Sequence, residues 1–489
     1  MIEILKMISS EKKITQKYDV IVIGGGAAGL TAATGSVKFG LKVALIEKEK
    51  LGGDCLYYGC VPSKTLIRSA KILSLIRRAN EFGIDNTNVS FDFERVMGHV
   101  WDVIKKVGEH DDPERFKKIG IDVIFGEPKF ISNTELEING KRIKGKKFVI
   151  STGSRSSTPN IKGLKETGFL TNVDIFNLKT LPKSMIVIGA GPIGMEMAQA
   201  FARFGTDVTV IEMENRILPK EDLDISKTLE SCLMKEGIRF STGTVVKSVG
   251  TEDTKKIVYC TKDGREMVFR ATDILLAAGR TPNVEGLNLE APGVEYDNKG
   301  IKVDKNLRTT AKNIWACGDV VGPYLFTHMA EYQAGIVLRN ALFKLSTKVD
   351  YSVVPWATFT DPEVAHIGIT EAEAIEKDMS FSVYKHNYSD VDRASTDIEG
   401  QGFIKIVTTG WSGKIIGAHI VGPNAGELIH ELILAIRKGL TVKEISSTIH
   451  VYPTLALGTR QTTDLYFREK FFSSGWTHKF LKLLVKVLN

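Results

Sequence analysis

The chain has 489 residues, which is longer than one typical domain and predicts about two to four domains. A hydrophobic content of 43% and a charged content of 25% are ordinary for a globular protein. The net charge of +7 is mild, and no basic run is interleaved with aromatic residues, so we expect no nucleic-acid partner.

Five cysteines in so long a chain are too few for a secreted disulfide scaffold. No apolar run reaches the roughly 18–20 residues that a membrane span needs. The first sixteen residues contain Glu3 and Glu11 and lack the apolar centre of a signal peptide. The simplest expectation is a cytoplasmic protein.

The first predicted element is a buried parallel strand at residues 18–23, where β-branched apolar residues follow one another. A glycine-rich turn, a helix to about Phe39 and a second strand ending in Glu47 follow. Together they form a dinucleotide fingerprint, in which the helix N-terminus faces a pyrophosphate and the acid binds a ribose. The glycines of the turn are Gly24, Gly26 and Gly29.

Cys55 and Cys60 come next, preceded by Gly53 and followed by Lys64. Their spacing suits neither a structural metal site, whose cysteines usually lie closer together and recur as a second pair, nor a stabilising disulfide. It favours a redox-active pair at a helix N-terminus, where backbone N–H groups stabilise a thiolate. We predict that one helix runs from this pair to about Asn80, and that no metal is resident in the protein.

Residues 91–118 predict one long amphipathic helix that starts near Asp92. A strand at residues 147–150 then ends in a turn of small residues that includes Thr152 and Gly153.

A second fingerprint begins with the strand at residues 185–188 and ends, after a helix and another strand, in Glu212. A chain with two such sites is typical of a flavoenzyme that holds FAD and binds a nicotinamide cofactor transiently. The carboxylate of Glu212 favours NADH over NADPH, because it would repel a 2′-phosphate, although Arg216 lies nearby. The glycines of this turn are Gly189, Gly191 and Gly194.

Three later segments follow the second fingerprint. They carry Gly279 with Arg280, Gly318 with Asp319, and a helix that starts near His328. From about Val353 the pattern changes to antiparallel strands and helices.

Residues 52–64, with both cysteines, resemble the active-site motif of the class I pyridine nucleotide–disulfide oxidoreductases, and the resemblance spans roughly residues 17–465. It implies an α/β fold with two Rossmann-like dinucleotide-binding domains, for FAD and NAD, and a C-terminal α+β dimerisation domain. The predicted regions are an N-terminal extension (1–16), the FAD-binding domain (17–155 and 281–350), the NAD(P)-binding domain (156–280), the dimerisation domain (351–466) and an amphipathic tail (467–489).

The resemblance also implies roles. Hydride passes from the nicotinamide to the flavin, and electrons then reach the disulfide through Cys60, the charge-transfer thiolate, while Cys55 is the exposed interchange thiol. Lys64 resembles the lysine beside the flavin and pairs with Glu196. Asp319 binds a ribityl hydroxyl. In this family a homodimer shares each active site between two subunits.

The C-terminal region departs from the family. Tyr452 stands where dihydrolipoamide dehydrogenase and glutathione reductase carry a histidine base, and Leu457 replaces the glutamate that orients it. A phenol is a poor proton shuttle at neutral pH. His450 is a second candidate for proton transfer. No cysteine follows Cys317, so the C-terminal cysteine handover of mercuric reductase is not expected either.

The tail places Lys479, Lys482 and Lys486 on one helical face with leucines and valines elsewhere. This pattern fits a terminal helix packed on the protein, or an interfacial helix in peripheral contact with an anionic membrane.

The sequence predicts an FAD-dependent NAD(P)H oxidoreductase that reduces a small acceptor, which is a disulfide, a thiophilic metal ion or a quinone. It is similar to mercuric reductase without the C-terminal cysteine pair. The alternatives are a dihydrolipoamide dehydrogenase, a membrane-peripheral NADH:quinone reductase, and a flavin-bound redox sensor with negligible turnover.

Overall fold

The computed structural model describes residues 14–85, 89–472 and 475–488. Most of the predicted N-terminal extension, residues 1–13, lies outside the described residues.

The first region is built on a mixed sheet whose strand order is β3-β2-β1-β6-β5-β4. Strands β1, β2, β3 and β6 are parallel, and residues 20–23 of β1 and 43–46 of β2 are buried, as the apolar runs predicted. The strands are β1 (Ile14–Ile23), β2 (Val43–Glu47), β3 (Ile121–Phe125), β4 (Lys129–Ser132), β5 (Glu135–Ile138), β6 (Lys141–Ile150) and β7 (Ser154–Ser156). The helices are Ala27–Lys38, Gly53–Tyr57, Cys60–Arg77, Phe93–Gly108 and Pro113–Lys118.

Two predicted helices are shorter than expected. The cysteines do not share one helix, because Gly59 adopts a non-helical conformation between the helix that ends at Tyr57 and the one that starts at Cys60. The helix predicted over 91–118 starts after Asp92 as expected but ends at Gly108. A new helix starts at Pro113, which has no N–H to donate within a continuing helix.

The second region contains a four-stranded parallel sheet of order β10-β9-β8-β14 and an antiparallel sheet of order β11-β12-β13. Its strands are β8 (Ser184–Ile188), β9 (Asp207–Ile211), β10 (Arg239–Ser241), β11 (Thr244–Glu252), β12 (Lys255–Lys262), β13 (Arg265–Ala271) and β14 (Asp273–Leu276). Its helices are Leu164–Thr167, Pro192–Phe204 and Leu223–Lys235.

The chain then returns to the first region, where β15 pairs with β7 and β18 pairs with β6. The returning helix, Thr327–Phe343, lies against the helix Ala27–Lys38. The strands here are β15 (Arg280–Pro282), β16 (Tyr296–Asp297), β17 (Gly300–Ile301) and β18 (Ile314–Ala316).

The last region is an antiparallel sheet of order β19-β20-β23-β22-β21, covered by helices. The change to antiparallel strands after Val353 is therefore confirmed. The strands are β19 (Trp356–Thr358), β20 (Glu363–Gly368), β21 (Phe381–Asn387), β22 (Phe403–Thr409) and β23 (Lys414–Gly422). The helices are Glu371–Glu376, Asp392–Thr396, Ala425–Lys438, Val442–Ser447 and Leu457–Phe467.

The tail continues through a π-helical turn, Arg468–Phe472, to a helix at Trp476–Leu488. Leu483, Val487 and Leu488 are exposed on this helix. Among the residues that the structure describes, no helix combines the length and apolarity needed to cross a membrane.

One packing contact positions the candidate site. The helix Cys60–Arg77 buries Leu66 and Ala70 in the same core cluster as Met197 and Phe201 of the helix Pro192–Phe204. A fully buried leucine side chain contributes about 1.5–3 kcal/mol. This contact holds the cysteine helix against the second region.

Candidate active site

The two cysteines lie on successive helices beside the first glycine-rich turn. Cys55 lies in the helix Gly53–Tyr57, and Cys60 is the first residue of the helix Cys60–Arg77. The N-cap of the second helix, Gly59, has no side chain to bind the first N–H groups of that helix. These N–H groups and the helix dipole therefore favour negative charge at the sulfur of Cys60.

The two thiols differ in acidity. The pKa of Cys60 is lowered to about 6, first by a hydrogen bond from Cys55 and further by Thr327 and the charge of Lys64. The Thr327 Oγ1 atom is 3.6 Å from the Cys60 Sγ atom. The pKa of Cys55 is raised, first by its hydrogen bond to Cys60 and then by burial. Cys60 is therefore the thiolate of the pair.

In a single chain, the solvent exposure of the two cysteines is the reverse of what the resemblance implied. Cys60 is exposed and Cys55 is half-buried. The proposal that Cys60 is the charge-transfer thiolate and Cys55 the interchange thiol therefore depends on the pKa difference. The other three cysteines, Cys232, Cys260 and Cys317, are buried.

We expect alkylation of the reduced protein at Cys60 to follow an apparent pKa of about 6, so the rate falls as the pH drops below that value. Cys55→Ala removes the hydrogen-bond donor and should move the profile toward the ordinary thiol range near pH 8.5. Cys55→Ser keeps a donor and should move it less. Iodoacetamide labelling followed by mass spectrometry measures the profile, and identical profiles for Cys55→Ala and the wild type would contradict this prediction.

Lys64 and Glu196 meet as the family resemblance implied. The Nζ atom of Lys64 lies 2.7 Å from the Oε2 atom of Glu196, whose side chain is only 5% exposed. The other carboxylate oxygen accepts a hydrogen bond of 2.9 Å from the N–H of Phe359. The Lys64 ammonium also lies 4.5 Å from the centre of the Phe359 ring. The pair therefore joins the cysteine helix to the second region.

The first glycine turn is shaped for close backbone packing. Gly24 has φ of +104°, and a Cβ atom there would lie 2.3 Å from the Ser151 carbonyl oxygen. A Cβ atom on Gly29 would lie 1.8 Å from the Gly24 carbonyl oxygen. Gly26 is the N-cap of the helix Ala27–Lys38 and provides no side-chain cap, so the first N–H groups remain available to a phosphate.

Two further groups complete this turn. Glu47 ends β2, and its Oε2 atom accepts a hydrogen bond of 2.7 Å from the N–H of Gly25. Gly53 approaches the backbone of Gly26 so closely that a Cβ atom would lie 2.9 Å from the Gly26 Cα atom. The cysteine segment and the dinucleotide turn are thus in direct contact.

The second turn repeats this geometry. Gly189 has φ of +105°, and a Cβ atom on Gly194 would lie 2.1 Å from the Gly189 carbonyl oxygen. Gly191 is the N-cap of the helix Pro192–Phe204 and likewise provides no side-chain cap. Glu212 is buried, and its Oε2 atom accepts a hydrogen bond of 2.6 Å from the N–H of Ala190.

Asp319 belongs to a charged network between the two parts of the first region. Its Oδ2 atom accepts a hydrogen bond of 2.6 Å from Ser154, whose hydroxyl also accepts one of 2.7 Å from Arg280. The Arg280 guanidinium lies 3.1 Å from Asp54. Burial raises the pKa of Asp319. Asp54, next to Cys55 in the sequence, is therefore an ion-pair partner of Arg280.

The remaining predicted cofactor residues surround this network. Thr152 donates a hydrogen bond of 2.6 Å to the Asn283 carbonyl oxygen. The backbone of Gly153 accepts one of 3.0 Å from Asn283, and that of Gly279 accepts one of 3.0 Å from Ser157. The N–H of Gly318 donates a hydrogen bond of 2.7 Å to Gln333.

His328 is the second residue of the returning helix, and its Nε2 atom donates a hydrogen bond of 2.9 Å to the Pro355 carbonyl oxygen. Burial lowers the pKa of His328, so it is neutral at physiological pH.

The two C-terminal candidates are engaged elsewhere in this chain. The Tyr452 hydroxyl donates a hydrogen bond of 3.1 Å to Asp392, which raises the pKa of the phenol further. The Nδ1 and Nε2 atoms of His450 lie 2.9 Å from the Thr448 carbonyl oxygen and 3.1 Å from Glu431. Neither side chain lies within hydrogen-bond distance of Cys55 or Cys60 in this chain.

The residues that sequence reasoning missed lie around the sites that it found. Thr327 contacts Cys60, Phe359 holds Glu196, and Glu431 orients His450. None belongs to a motif, because each is brought in by the packing of a different region. The pairing of Asp54 with Arg280 could have been suggested by the presence of an acid directly before Cys55.

The fold and the site combine two glycine-rich turns of the dinucleotide-binding type with a pair of thiols, one of which has a lowered pKa. A family model described as "Pyridine nucleotide-disulphide oxidoreductase" matches residues 18–334, and the dimerisation-domain model of that family matches residues 354–461. The chain belongs to this family, which is FAD-dependent, uses NAD(P)H and forms homodimers through this domain.

The similar proteins include two kinds of enzyme. The chain is 36% identical to a mercuric reductase of Bacillus cereus, over 91% of the chain and 70% of that protein. It is also 36% identical to a dihydrolipoyl dehydrogenase of Bacillus subtilis, over 90% of the chain and 96% of that protein. Among solved structures, the Cu(II) complex of the HOCl-induced flavoprotein disulfide reductase RclA from Escherichia coli has a TM-score of 0.82 and 28% identity, covering 91% of this chain and all of that one.

Proposed function

We propose that this protein is an FAD-dependent NAD(P)H oxidoreductase that delivers two electrons through Cys55 and Cys60 to a thiophilic metal ion. The observation that carries the proposal is the acidic thiol of Cys60 at a helix N-terminus, next to the ion pair of Lys64 and Glu196. When bound, FAD supplies the hydride-accepting and electron-transferring chemistry that connects the nicotinamide to the dithiol.

The residues present fit FAD. The turn at Gly24 and Gly29 leaves no room for side chains, and the helix that follows Gly26 has uncapped N–H groups for a pyrophosphate. Glu47 ends the second strand, where a ribose hydroxyl is bound in such folds. Asp319 would serve as the second anchor of the cofactor.

Proton handling favours a metal ion over an organic disulfide. Reduction of a disulfide produces a leaving thiolate that needs a proton donor. Tyr452 has a raised pKa, and both ring nitrogens of His450 are already hydrogen-bonded. A metal ion accepts electrons without a proton donor: as the S–S bond forms, Cys55 releases its proton and the pair releases two electrons, which reduce one divalent ion to metal or two divalent ions to the monovalent state. The hydride of NAD(P)H, passed on as two electrons and a proton, then restores the Cys60 thiolate and the Cys55 thiol.

The nucleotide site favours NADH. Glu212 carries a buried carboxylate at the end of β9, where the adenosine ribose binds. Arg216, the residue that could have bound a 2′-phosphate, donates hydrogen bonds to the carbonyl oxygens of Pro219 and Glu221 instead. Its charge is therefore directed away from the ribose site.

The shared active site is part of the same proposal. Tyr452 and Ile449 are exposed in the single chain, at 66% and 93%. In the homodimer this C-terminal segment would cover the dithiol of the partner subunit. It would shape access to the dithiol without supplying a base.

Steady-state oxidation of NADH should be measured with Hg²⁺, Cu²⁺ and lipoamide as alternative electron acceptors. We expect it to be about tenfold or more faster with either metal ion than with lipoamide. The reason is that loss of a proton-transferring residue slows an acid–base step on the order of 10²–10⁴-fold. NADPH should give a lower kcat/KM than NADH. Cys55→Ser is the control, and it should remove turnover with metal ions. Faster turnover with lipoamide than with either ion would overturn the proposal.

A quinone is the second candidate acceptor, favoured by the exposed apolar residues and lysines of the helix Trp476–Leu488. Quinone reduction that survives Cys55→Ser and is stimulated by anionic vesicles would favour this reading. Removal of residues 471–489 should then abolish the stimulation.

A further inference from the structure

Two buried histidines face each other where the second region meets the dimerisation domain. His366 on β20 and His419 on β23 are directly paired across the two strands. Their Nδ1 atoms are 3.1 Å apart. The Oε2 atom of Glu221, which precedes the helix Leu223–Lys235, lies 3.2 Å from the Nδ1 atom of His366. The three side chains are 4% exposed or less.

The backbone determines which nitrogen of each ring carries hydrogen. The Nε2 atom of His366 lies 3.0 Å from the Gly368 carbonyl oxygen, and that of His419 lies 3.0 Å from the Ile369 carbonyl oxygen. A carbonyl oxygen only accepts, so both Nε2 atoms must donate. In the neutral rings, both Nδ1 atoms therefore point lone pairs at each other.

The carboxylate adds a third lone pair to the same point. The Oε1 atom of Glu221 accepts a hydrogen bond of 2.6 Å from the indole N–H of Trp356, which leaves Oε2 turned toward the histidines. Trp356 also stacks on the His366 ring with centroids 3.6 Å apart. Three electron-pair donors that converge inside a protein repel one another unless a cation lies between them.

The neighbouring lysine does not provide that cation. The Nζ atom of Lys405 lies 2.8, 2.6 and 2.7 Å from carboxylate oxygens of Asp222, Asp224 and Glu371. An ammonium group has three N–H donors, so these acids use all of them. Lys405 therefore has no N–H left for the histidine pair, which still needs a positive charge.

We propose that Glu221, His366 and His419 bind one divalent transition-metal ion, with Zn²⁺ as the reference ion. Imidazole nitrogens with a carboxylate oxygen form a donor set that suits Zn²⁺, Ni²⁺ and Cu²⁺. Histidine ligands of metals usually donate their second N–H to a carbonyl oxygen, as both rings do here. Donor atoms at about 2.0–2.1 Å around a tetrahedral ion are roughly 3.4 Å apart, close to the 3.1 Å and 3.2 Å that separate His366 from His419 and Glu221, and all three donor atoms lie within 4.8 Å of one another.

The ion would join two domains. Glu221 comes from the nucleotide-binding region, and both histidines come from the sheet of the dimerisation domain. No resident metal was predicted from the sequence, because the three proposed ligands lie far apart in the chain and form no motif. This site is separate from Cys55 and Cys60, so it can exist whether or not the dithiol reduces a metal ion.

The test uses the FAD-loaded protein with Cys55→Ser and Cys60→Ser, which removes the thiols that would bind Zn²⁺ at the other site. Protein produced in zinc-supplemented medium is desalted, and its metal content is measured by mass spectrometry. We expect close to one Zn²⁺ per chain and a melting temperature that falls after removal of the metal by EDTA.

Glu221→Gln keeps the hydrogen-bond acceptor for Trp356, and His366→Gln keeps a buried polar group; each should lower zinc affinity by on the order of 100-fold or more. His99→Gln changes an exposed histidine and should leave the zinc content unchanged. Absence of zinc in the parent protein would overturn the proposal and indicate a proton shared by the histidines. Zinc that persists in both Glu221→Gln and His366→Gln would also overturn it.

Discussion

Cys60→Ala is expected to abolish the long-wavelength absorption that anaerobic addition of NADH produces in the wild-type protein. It should also lower acceptor turnover by about 10³-fold or more, as expected when a group that takes part in bond formation is removed. The physical reason is that Cys60 is the acidic thiol of the pair, with a pKa near 6, so it is the thiolate at neutral pH. Titration with NADH under nitrogen, followed by visible spectroscopy, measures the band.

The Cys55→Ser variant distinguishes the role of the Cys55 sulfur from that of the Cys60 sulfur. It should keep the long-wavelength band, because Cys60 is retained and serine still donates a hydrogen bond to it, but it should lose acceptor reduction. Cys232→Ala is the matched control, because Cys232 is buried in another region and should affect neither property. A band that survives Cys60→Ala would show that the cysteines take no part in electron transfer. Bleaching of the flavin without any long-wavelength band in the wild type would lead to the same conclusion.

The elements that sequence reasoning predicted well are those whose chemistry is local. Each fingerprint occupies one strand, turn and helix, so its glycines and its terminal acid lie within a short stretch of chain. The contact between Gly26 and Gly53, and the pairing of Lys64 with Glu196, span longer distances. The second was predictable only through the resemblance, since no periodicity in the sequence connects those two residues.

The features that sequence reasoning missed depend on interruptions of helices and on packing between regions. Gly59 and Pro113 interrupt helices whose apolar pattern continues on both sides, and the local backbone outweighed the periodicity. The cluster of Glu221, His366 and His419 was invisible for a different reason. Each residue is unremarkable in its own segment, and only the cross-strand pairing and the approach of the second region bring the three together.

The ion pair between Lys64 and Glu196 should be needed for both stability and reduction by the nicotinamide. Lys64→Met leaves the carboxylate of Glu196, which is 5% exposed, without its counter-charge. Removal of one partner from a fully buried pair costs about 3–5 kcal/mol. Since Lys64 is 36% exposed, we expect a smaller loss, of about 1–3 kcal/mol in the free energy of unfolding.

A double-mutant cycle tests whether the loss comes from the pair. Glu196→Gln keeps the acceptor for the N–H of Phe359, and combined with Lys64→Met it leaves no unpaired charge, so the double variant should be more stable than Lys64→Met alone. Urea unfolding of the FAD-loaded protein measures stability, and stopped-flow reduction by NADH measures the rate, which should fall in all three variants. Additive losses in the cycle would mean that the two residues act independently. Unchanged reduction rates would mean that the pair only holds the cysteine helix against the nucleotide-binding region.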